Sequence, residues 1–246
     1  VPPRIAPQLT EPFLFAHRGG KAHAPENTLE AFALGLKLGA NGLESDIWVS
    51  RDGQPILIHD EHFGRIKRRK VADTDAADLP DHVPTLLDLY EAVGTDFEFS
   101  VDIKTEAAID PTVDTLRAAS ERYGTDLVSR TWLCHPDLDV VTAWRSRWSD
   151  VRLVHSTRLS RVEGAERHAS VLFDRGIDAV NLREGDWTGG LTALYHRFGV
   201  LCFGWDAHLE RRAAELLNMG CDGIFSDYVD RMMSAHHRVY GDLAGS

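Results

Sequence analysis

Short runs of consecutive apolar residues alternate along the whole chain with stretches in which apolar positions recur every three or four residues. The runs lie at 13–17, 42–48, 97–103, 130–134, 152–156, 178–183, 200–205 and 222–226. Their length and continuity are those of strands covered on both faces. The periodic stretches, at about 28–39, 85–93, 110–123, 137–148, 163–175, 189–198, 209–219 and 229–240, predict amphipathic helices. Several of them start at a capping residue or proline, as at Asn27-Thr28, Thr85, Asp110-Pro111 and Pro136, and several run into a glycine. Strand and helix in strict alternation, eight times in about 250 residues, predict an α/β fold, a (β/α)8 TIM barrel. No glycine-rich fingerprint follows the first run, which argues against an open dinucleotide-binding sheet. One domain is expected over 1–246, with a short hairpin and loop insertion after the second strand.

The hairpin has its own signal. Residues 47–59 read as strand, Asp52-Gly53 turn, strand. With Asp52-Gly53 as a two-residue loop, Arg51 faces Gln54 and paired residues sum to 105. That register puts His59 directly opposite Asp46. A slip of one residue would turn His59 to the other face.

Composition narrows the class. Hydrophobic residues make up 43% and charged residues 26% of 246 residues, the balance of a globular chain with a large core. A net charge of −11 argues against a general nucleic-acid binder. No apolar run is long enough for a transmembrane helix. Cys134, Cys202 and Cys221 are scattered and form no CxxC, so they read as small buried residues. Residues 1–12 lack the apolar centre of a signal peptide, and the expectation is a cytoplasmic protein, although a mature secreted chain would look the same. The basic run Arg65–Lys70 reads as a solvated loop or a patch steering anions.

In a TIM barrel the chemistry sits at the C-terminal ends of the strands. Those ends carry His17 and Arg18, Glu44 and Asp46, Asp102 and Lys104, Asn181, Trp205 and Asp227. Side chains two apart share a face of a strand, so Glu44 and Asp46 point the same way, as do Asp102 and Lys104. Carboxylates aimed into one space repel unless a proton or a cation intervenes. Oxygen-only ligands select a hard cation, Mg²⁺ or Ca²⁺. His17 and His59 beside such a cation fit acid–base work, and Arg18 beside it fits an anionic substrate group such as phosphate. Lys104 adds a second positive charge, or simply pairs with Asp102 or Glu44.

These residues lie within motifs that resemble the glycerophosphodiester phosphodiesterase family. The motifs are Ala16-His17-Arg18-Gly19-Gly20, Pro25-Glu26-Asn27-Thr28, Glu44-Ser45-Asp46, Asp52-Gly53, Leu57-Ile58-His59-Asp60, Val83-Pro84-Thr85-Leu86, Asp102-Ile103-Lys104 and Gly220-Cys221-Asp222-Gly223-Ile224-Phe225-Ser226-Asp227. They occur in family order from Phe13 to about Met233. The resemblance implies a (β/α)8 barrel that hydrolyses a small-molecule glycerophosphodiester to glycerol 3-phosphate and an alcohol. It implies His17 and His59 as the acid–base pair and Glu44, Asp46 and Asp102 as ligands of a divalent cation, Mg²⁺ or Ca²⁺. Arg18 and Lys104 would hold the phosphate, and Trp205 would line the glycerol or headgroup side. Glu26 and Asn27 would brace the first loop and cap the first helix. The chain departs from the family pattern at Asp102, where glutamate is usual, at Asp206-Ala207-His208 after Trp205, at Tyr228-Val229 and at Cys134-His135-Pro136. A lysophospholipase D-like or phospholipase C-like phosphodiesterase, or a silent phosphodiester-binding barrel, is the alternative.

Overall fold

A computed structural model of the chain describes residues 5–64 and 68–241. Its strands are β1 (Phe13–Ala16), β2 (Gly42–Val49), β3 (Pro55–Leu57), β4 (His62–Phe63), β5 (Arg69–Lys70), β6 (Glu98–Ile103), β7 (Thr131–His135), β8 (Arg152–Ser156), β9 (Ala179–Arg183), β10 (Leu201–Trp205) and β11 (Gly223–Ser226). Its α-helices are α1 (Leu29–Lys37), α2 (Leu86–Val93), α3 (Ile109–Tyr123), α4 (Leu138–Arg147), α5 (Ala165–Asp174), α6 (Gly189–Arg197), α7 (Glu210–Asn218) and α8 (Val229–Tyr240). The sheet runs β1-β11-β10-β9-β8-β7-β6-β2, and β1 pairs in parallel with β2 to close it. This is the expected (β/α)8 barrel, its eight strands within two residues of the predicted runs.

Strand alternation sorts the interior from the outer layer. Phe15, Trp132, Cys134, Val154, Ala179, Phe203 and Phe225 form one buried cluster inside the barrel. Residues on the other face of the strands, among them Leu14, Leu43, Val101, Leu133, Leu153, Val180 and Ile224, pack outward against the helices. Phe15 stacks on Phe225 with centroids 4.5 Å apart, and Phe203 meets Phe15 edge-on at 5.8 Å. The inner rings need space: a Cβ on Gly42 would lie 2.6 Å from the Phe15 ring, and one on Gly223 2.8 Å from the Phe203 ring. The same alternation carries the interior up to the C-terminal rim. Phe13 and Phe15 lead to His17, Ser100 to Asp102, and Leu201 and Phe203 to Trp205.

The opposite end is held by Asp222, which is fully buried. Its Oδ1 accepts from the backbone N–H of Gln8 (2.6 Å) and Leu9 (3.3 Å). Its Oδ2 accepts from Cys202 N and His196 Nε2, both at 2.8 Å. The segment before β1 is thereby fastened across the bottom of the barrel.

Two local expectations need correction. Ile47 pairs with Leu57, Trp48 with Ile56 and Val49 with Pro55, so paired residues sum to 104 rather than 105. The hairpin loop has three residues, closed by Ser50 N donating to Gln54 O at 2.9 Å, with Gly53 at φ +82°. Contacts with the following insertion select this turn: Arg51 N donates to Thr74 O at 2.9 Å and Ala76 N to Asp52 Oδ1 at 2.9 Å. The second correction is the cap of α1. Thr28 is the N-cap, its Oγ1 accepting from Ala31 N at 3.2 Å. Asn27 instead braces the loop from a left-handed conformation, φ +56°, accepting from Ser45 Oγ at 2.8 Å.

In the insertion, β4 and β5 form a small antiparallel pair and two 3₁₀ turns follow. Of the basic run, Arg65, Ile66 and Lys67 lie outside the described residues, while Lys70 pairs with Glu61 at 3.0 Å. Cys134, Cys202 and Cys221 are free thiols buried in the barrel wall. No helix among the described residues is long and apolar enough to cross a membrane.

Candidate active site

At the C-terminal rim, the turn after β1 is tight and strained. Arg18 takes a left-handed conformation (φ +50°), which turns its backbone N–H onto Glu44 Oε2 at 2.9 Å. Gly19 follows at φ +80°, where a Cβ would strike the α1 backbone at 2.8 Å. Glycine therefore lets the loop lie flat on α1.

His17 stands between two carboxylates. Its Nδ1 donates to Asp227 Oδ1 at 2.5 Å, across 210 residues of sequence. With that proton fixed at Nδ1, Nε2 is free to accept or deliver a proton, and it faces Glu44 Oε2 at 3.6 Å. Burial alone would lower the His17 pKa, but Glu44 and Asp227 outweigh it and the net displacement is upward. Asp227 is in turn flanked by Lys21 Nζ and His208 Nε2, each 3.5 Å from Oδ2.

Glu44, Asp46 and Asp102 bring one oxygen each within 4.8 Å of one another. Register explains this: β2 and β6 run side by side with Glu44 opposite Ser100 and Asp46 opposite Asp102. Glu44 is 5% and Asp46 2% exposed. Burial, followed by the nearby Asp46 and Asp102 charges, pushes the Glu44 carboxyl up to about 7 against the opposing pull of His17. Asp46 Oδ2 is buried without a hydrogen-bond partner, 3.4 Å from Arg18 Nε, which is equally orphaned. Mutual repulsion and an orphaned buried oxygen in an all-oxygen trio fit a hard divalent cation. Lys104 now supplies part of the countercharge, its Nζ 2.5 Å from Asp46 Oδ1 and 3.6 Å from Asp102 Oδ2.

A cavity of about 80 Å³ joins these groups, lined by His17, Glu44, Ser100, Asp102, Ser156, Asn181, Trp205, Asp206 and Phe225. Residues 17–231 match the family described as "Glycerophosphoryl diester phosphodiesterase family". The chain belongs to this family.

Among glycerophosphoryl diester phosphodiesterase relatives, the glycerophosphodiester phosphodiesterase of Bacillus altitudinis is 25% identical over 92% of this chain and 98% of its own length. The enzyme of that name from Caldanaerobacter subterraneus subsp. tengcongensis is 30% identical, but the match spans 41% of this chain and about half, 49%, of the relative. Two solved structures share the fold. The Thermotoga maritima glycerophosphodiester phosphodiesterase superposes with a TM-score of 0.78 at 20% identity, covering 92% of this chain and 99% of that one. An Oleispira antarctica phosphodiesterase in complex with the product sn-glycerol-3-phosphate superposes at 0.77 and 22%, covering 92% and 96%. The family takes its name from phosphodiester hydrolysis, and the relatives named above carry that name.

The structure brings together most of the expected site residues. His17, Glu44, Asp102 and Trp205 share the cavity; Lys104 pairs with Asp102 of its wall, and Asp46, behind the wall, pairs with Lys104 and Arg18. His59 is the exception. The observed register sets Asp46 opposite Ile58, whose N–H donates to Asp46 O at 3.0 Å, and not opposite His59. It lines an adjoining cavity of about 220 Å³ with Glu26, Asn27, Asp60, His62 and His82, its Nδ1 2.8 Å from Asp60 Oδ1. Arg18 touches a wall residue of each cavity: its backbone N–H meets Glu44 of the first, and Nη1 donates to Glu26 Oε1 and Oε2 of the second at 3.1 and 3.0 Å. Sequence reasoning assigned no role to Asp227, Lys21 or His208. The signal for Asp227 was its place at the end of the last strand, next in the closed barrel to the strand that ends at His17.

Proposed function

We propose that this chain hydrolyses glycerophosphodiesters to glycerol 3-phosphate and an alcohol. Glu44, Asp46 and Asp102 are the residues that would hold Mg²⁺ or Ca²⁺, and His17 and His59 are the acid–base pair. The observation that carries this reading is an oriented histidine lining one cavity with Glu44 and Asp102, two members of a repelling carboxylate trio. When bound, the cation supplies neutralisation of the charge that builds on the phosphate oxygens. Arg18 offers a fork-shaped guanidinium to the phosphate and shields it from Glu26 and Asp46. Lys104 adds charge on the Asp102 side. His17, its tautomer set by Asp227, exchanges a proton at Nε2. A diester seated over Arg18 has His17 toward one cavity and His59 toward the other, which supports giving the second proton transfer to His59. The group attacking phosphorus is water, or the glycerol 2-hydroxyl through a cyclic phosphate.

Phosphorus NMR of the purified chain with glycerophosphoglycerol and lysophosphatidylcholine, in Mg²⁺, Ca²⁺ or EDTA, tests the reading. Glycerol 3-phosphate released with either cation and not in EDTA is the expected result. His17→Ala should lower kcat by roughly 10²-fold or more while the fold persists. A cyclic phosphate as end product, turnover of the lyso-lipid alone, or near-wild-type rates in the variant would each overturn it.

A further inference from the structure

We propose that this site selects diesters whose alcohol half carries an anionic group, through the positive charge assembled at Trp205. The inference rests on the phosphodiesterase reading and names the substrate class within it. Trp205, the last residue of β10, lines the cavity with His17, Glu44 and Asp102. Two guanidinium groups lie against its ring. Arg158, from the loop after β8, has its Cζ 5.3 Å from the ring centroid, and Arg183, at the end of β9, lies at 6.0 Å. Arg183 is tied to Asp206, Nε to Oδ2, at 3.5 Å. Asp206 is held in the left-handed region (φ +66°), and its other oxygen is 3.4 Å from His208 Nε2. Arg158 has no carboxylate at ion-pair distance among the described residues. The aromatic wall therefore carries an unpaired cation in a chain whose net charge is −11.

That arrangement discriminates by charge. An aromatic face with no cation attached is a good seat for a quaternary ammonium. Here guanidinium groups already lie against that ring, and a second cation meets like-charge repulsion. Asp206 also lines the cavity but is engaged by Arg183 and His208, so a phosphate or carboxylate on the alcohol meets Arg158 as the uncompensated charge, a planar donor suited to bidentate pairing. A second observation places hydroxyl recognition at the same wall. Asn181 is buried, its Nδ2 donates to Ser156 Oγ at 3.4 Å, and its Oδ1 has no partner while the residue lines the cavity. A substrate hydroxyl is the donor that oxygen lacks, so a polyol bearing an anionic group suits the wall as a whole.

Three diesters sharing the glycerol 3-phosphate half test this: glycerophosphocholine, glycerophosphoglycerol, and glycerophosphoglycerol with a terminal phosphomonoester. The expected order of kcat/KM is phosphorylated, then neutral, then choline, with roughly tenfold or more between the ends. Arg158→Gln should collapse the ratio of phosphorylated to choline substrate toward one, and Arg183→Gln should reduce it less because Asp206 already offsets that charge. Equal or better turnover of glycerophosphocholine, or an unchanged ratio in Arg158→Gln, overturns the inference. If none of the three is cleaved, the phosphodiesterase reading is at fault, and calorimetric binding of the same compounds still reads charge selection. Tighter binding of the phosphorylated diester that Arg158→Gln abolishes supports it, and binding without preference sinks it.

Discussion

The residue on which most depends is Asp227. It fixes the proton of His17 on Nδ1 by a 2.5 Å contact and so decides which nitrogen faces the phosphate. In Asp227→Asn the amide donates to Nδ1, the ring proton moves to Nε2, and the free lone pair points away from the substrate. That variant should keep KM near wild type and lose roughly 10²- to 10⁴-fold in kcat, the range removed with an acid–base partner. Steady-state kinetics on any cleaved glycerophosphodiester checks this, and a rise in KM with kcat unchanged would mean that Asp227 shapes binding instead. His17 and Glu44 were legible as site residues because each ends an apolar run at the rim. Asp227's partnership was not, because 210 residues of chain separate it from His17 and only the closure of β11 on β1 joins them. Charge coupling inside the trio was legible in outline, since Glu44 and Asp46 share a strand face. That Lys104 would reach Asp46 rather than Asp102 or Glu44 first was not, because its long side chain chooses among carboxylates by tertiary packing.

Elements of regular structure were readable because both periodicities are strong here: buried parallel strands leave unbroken apolar runs, and surface helices leave a 3.6-residue stripe. The β2–β3 hairpin was not readable to the residue. Asp-Gly favours a two-residue turn locally, but Thr74 and Ala76 from the insertion bind Arg51 and Asp52 and make the three-residue turn the stable one. One slipped residue sets Ile58 rather than His59 opposite Asp46, and His59, past the end of β3, lines the neighbouring cavity. A second element-level feature has a measurable consequence. Tyr195 OH of α6 donates to His168 Nδ1 of α5 (2.8 Å), His168 Nε2 donates to His155 Nδ1 of β8 (2.9 Å), and His155 Nε2 donates to Pro136 O (3.2 Å). In this arrangement both rings are neutral. Burial, then the neighbouring His155, depresses His168 from its ordinary 6.5 to about 4. A base whose folded pKa is depressed takes up its proton more readily when unfolded, so its contribution to stability is complete above about pH 6.5 and drains away as the pH falls toward 4. His168→Gln can accept from Tyr195 and donate to His155 without titrating. Thermal melts between pH 7 and 4.5 should show a steeper loss of Tm in the wild type than in this variant. Parallel slopes would show that His168 is not what the acid reaches first.

At the scale of the whole molecule, the barrel divides its two ends between tasks. The C-terminal rim carries strained backbone, orphaned polar atoms and mutually repelling charges; the N-terminal end has its buried charge fully paired. Asp222 and Asp227 bracket β11, about 16 Å apart by strand rise. Asp227 serves the site, whereas Asp222 collects the N–H groups of Gln8, Leu9, Cys202 and His196 and ties the chain's opening segment to the barrel floor. Truncating Asp222 to Ala strands those donors with little water to replace their partner. A loss of roughly 2 kcal/mol or more follows from the cost of unsatisfied buried groups. For a domain of this size that corresponds to about 4–8 °C in Tm. Activity per folded molecule should stay near wild type at a temperature well below the melt, because no atom of the Asp222 network lines the catalytic cavity. Calorimetric melting combined with initial rates at low temperature separates the two quantities. If Asp222→Ala remains folded with an unchanged melt but loses turnover, the two ends of the barrel are coupled. Holding the floor would then be part of catalysis rather than of stability.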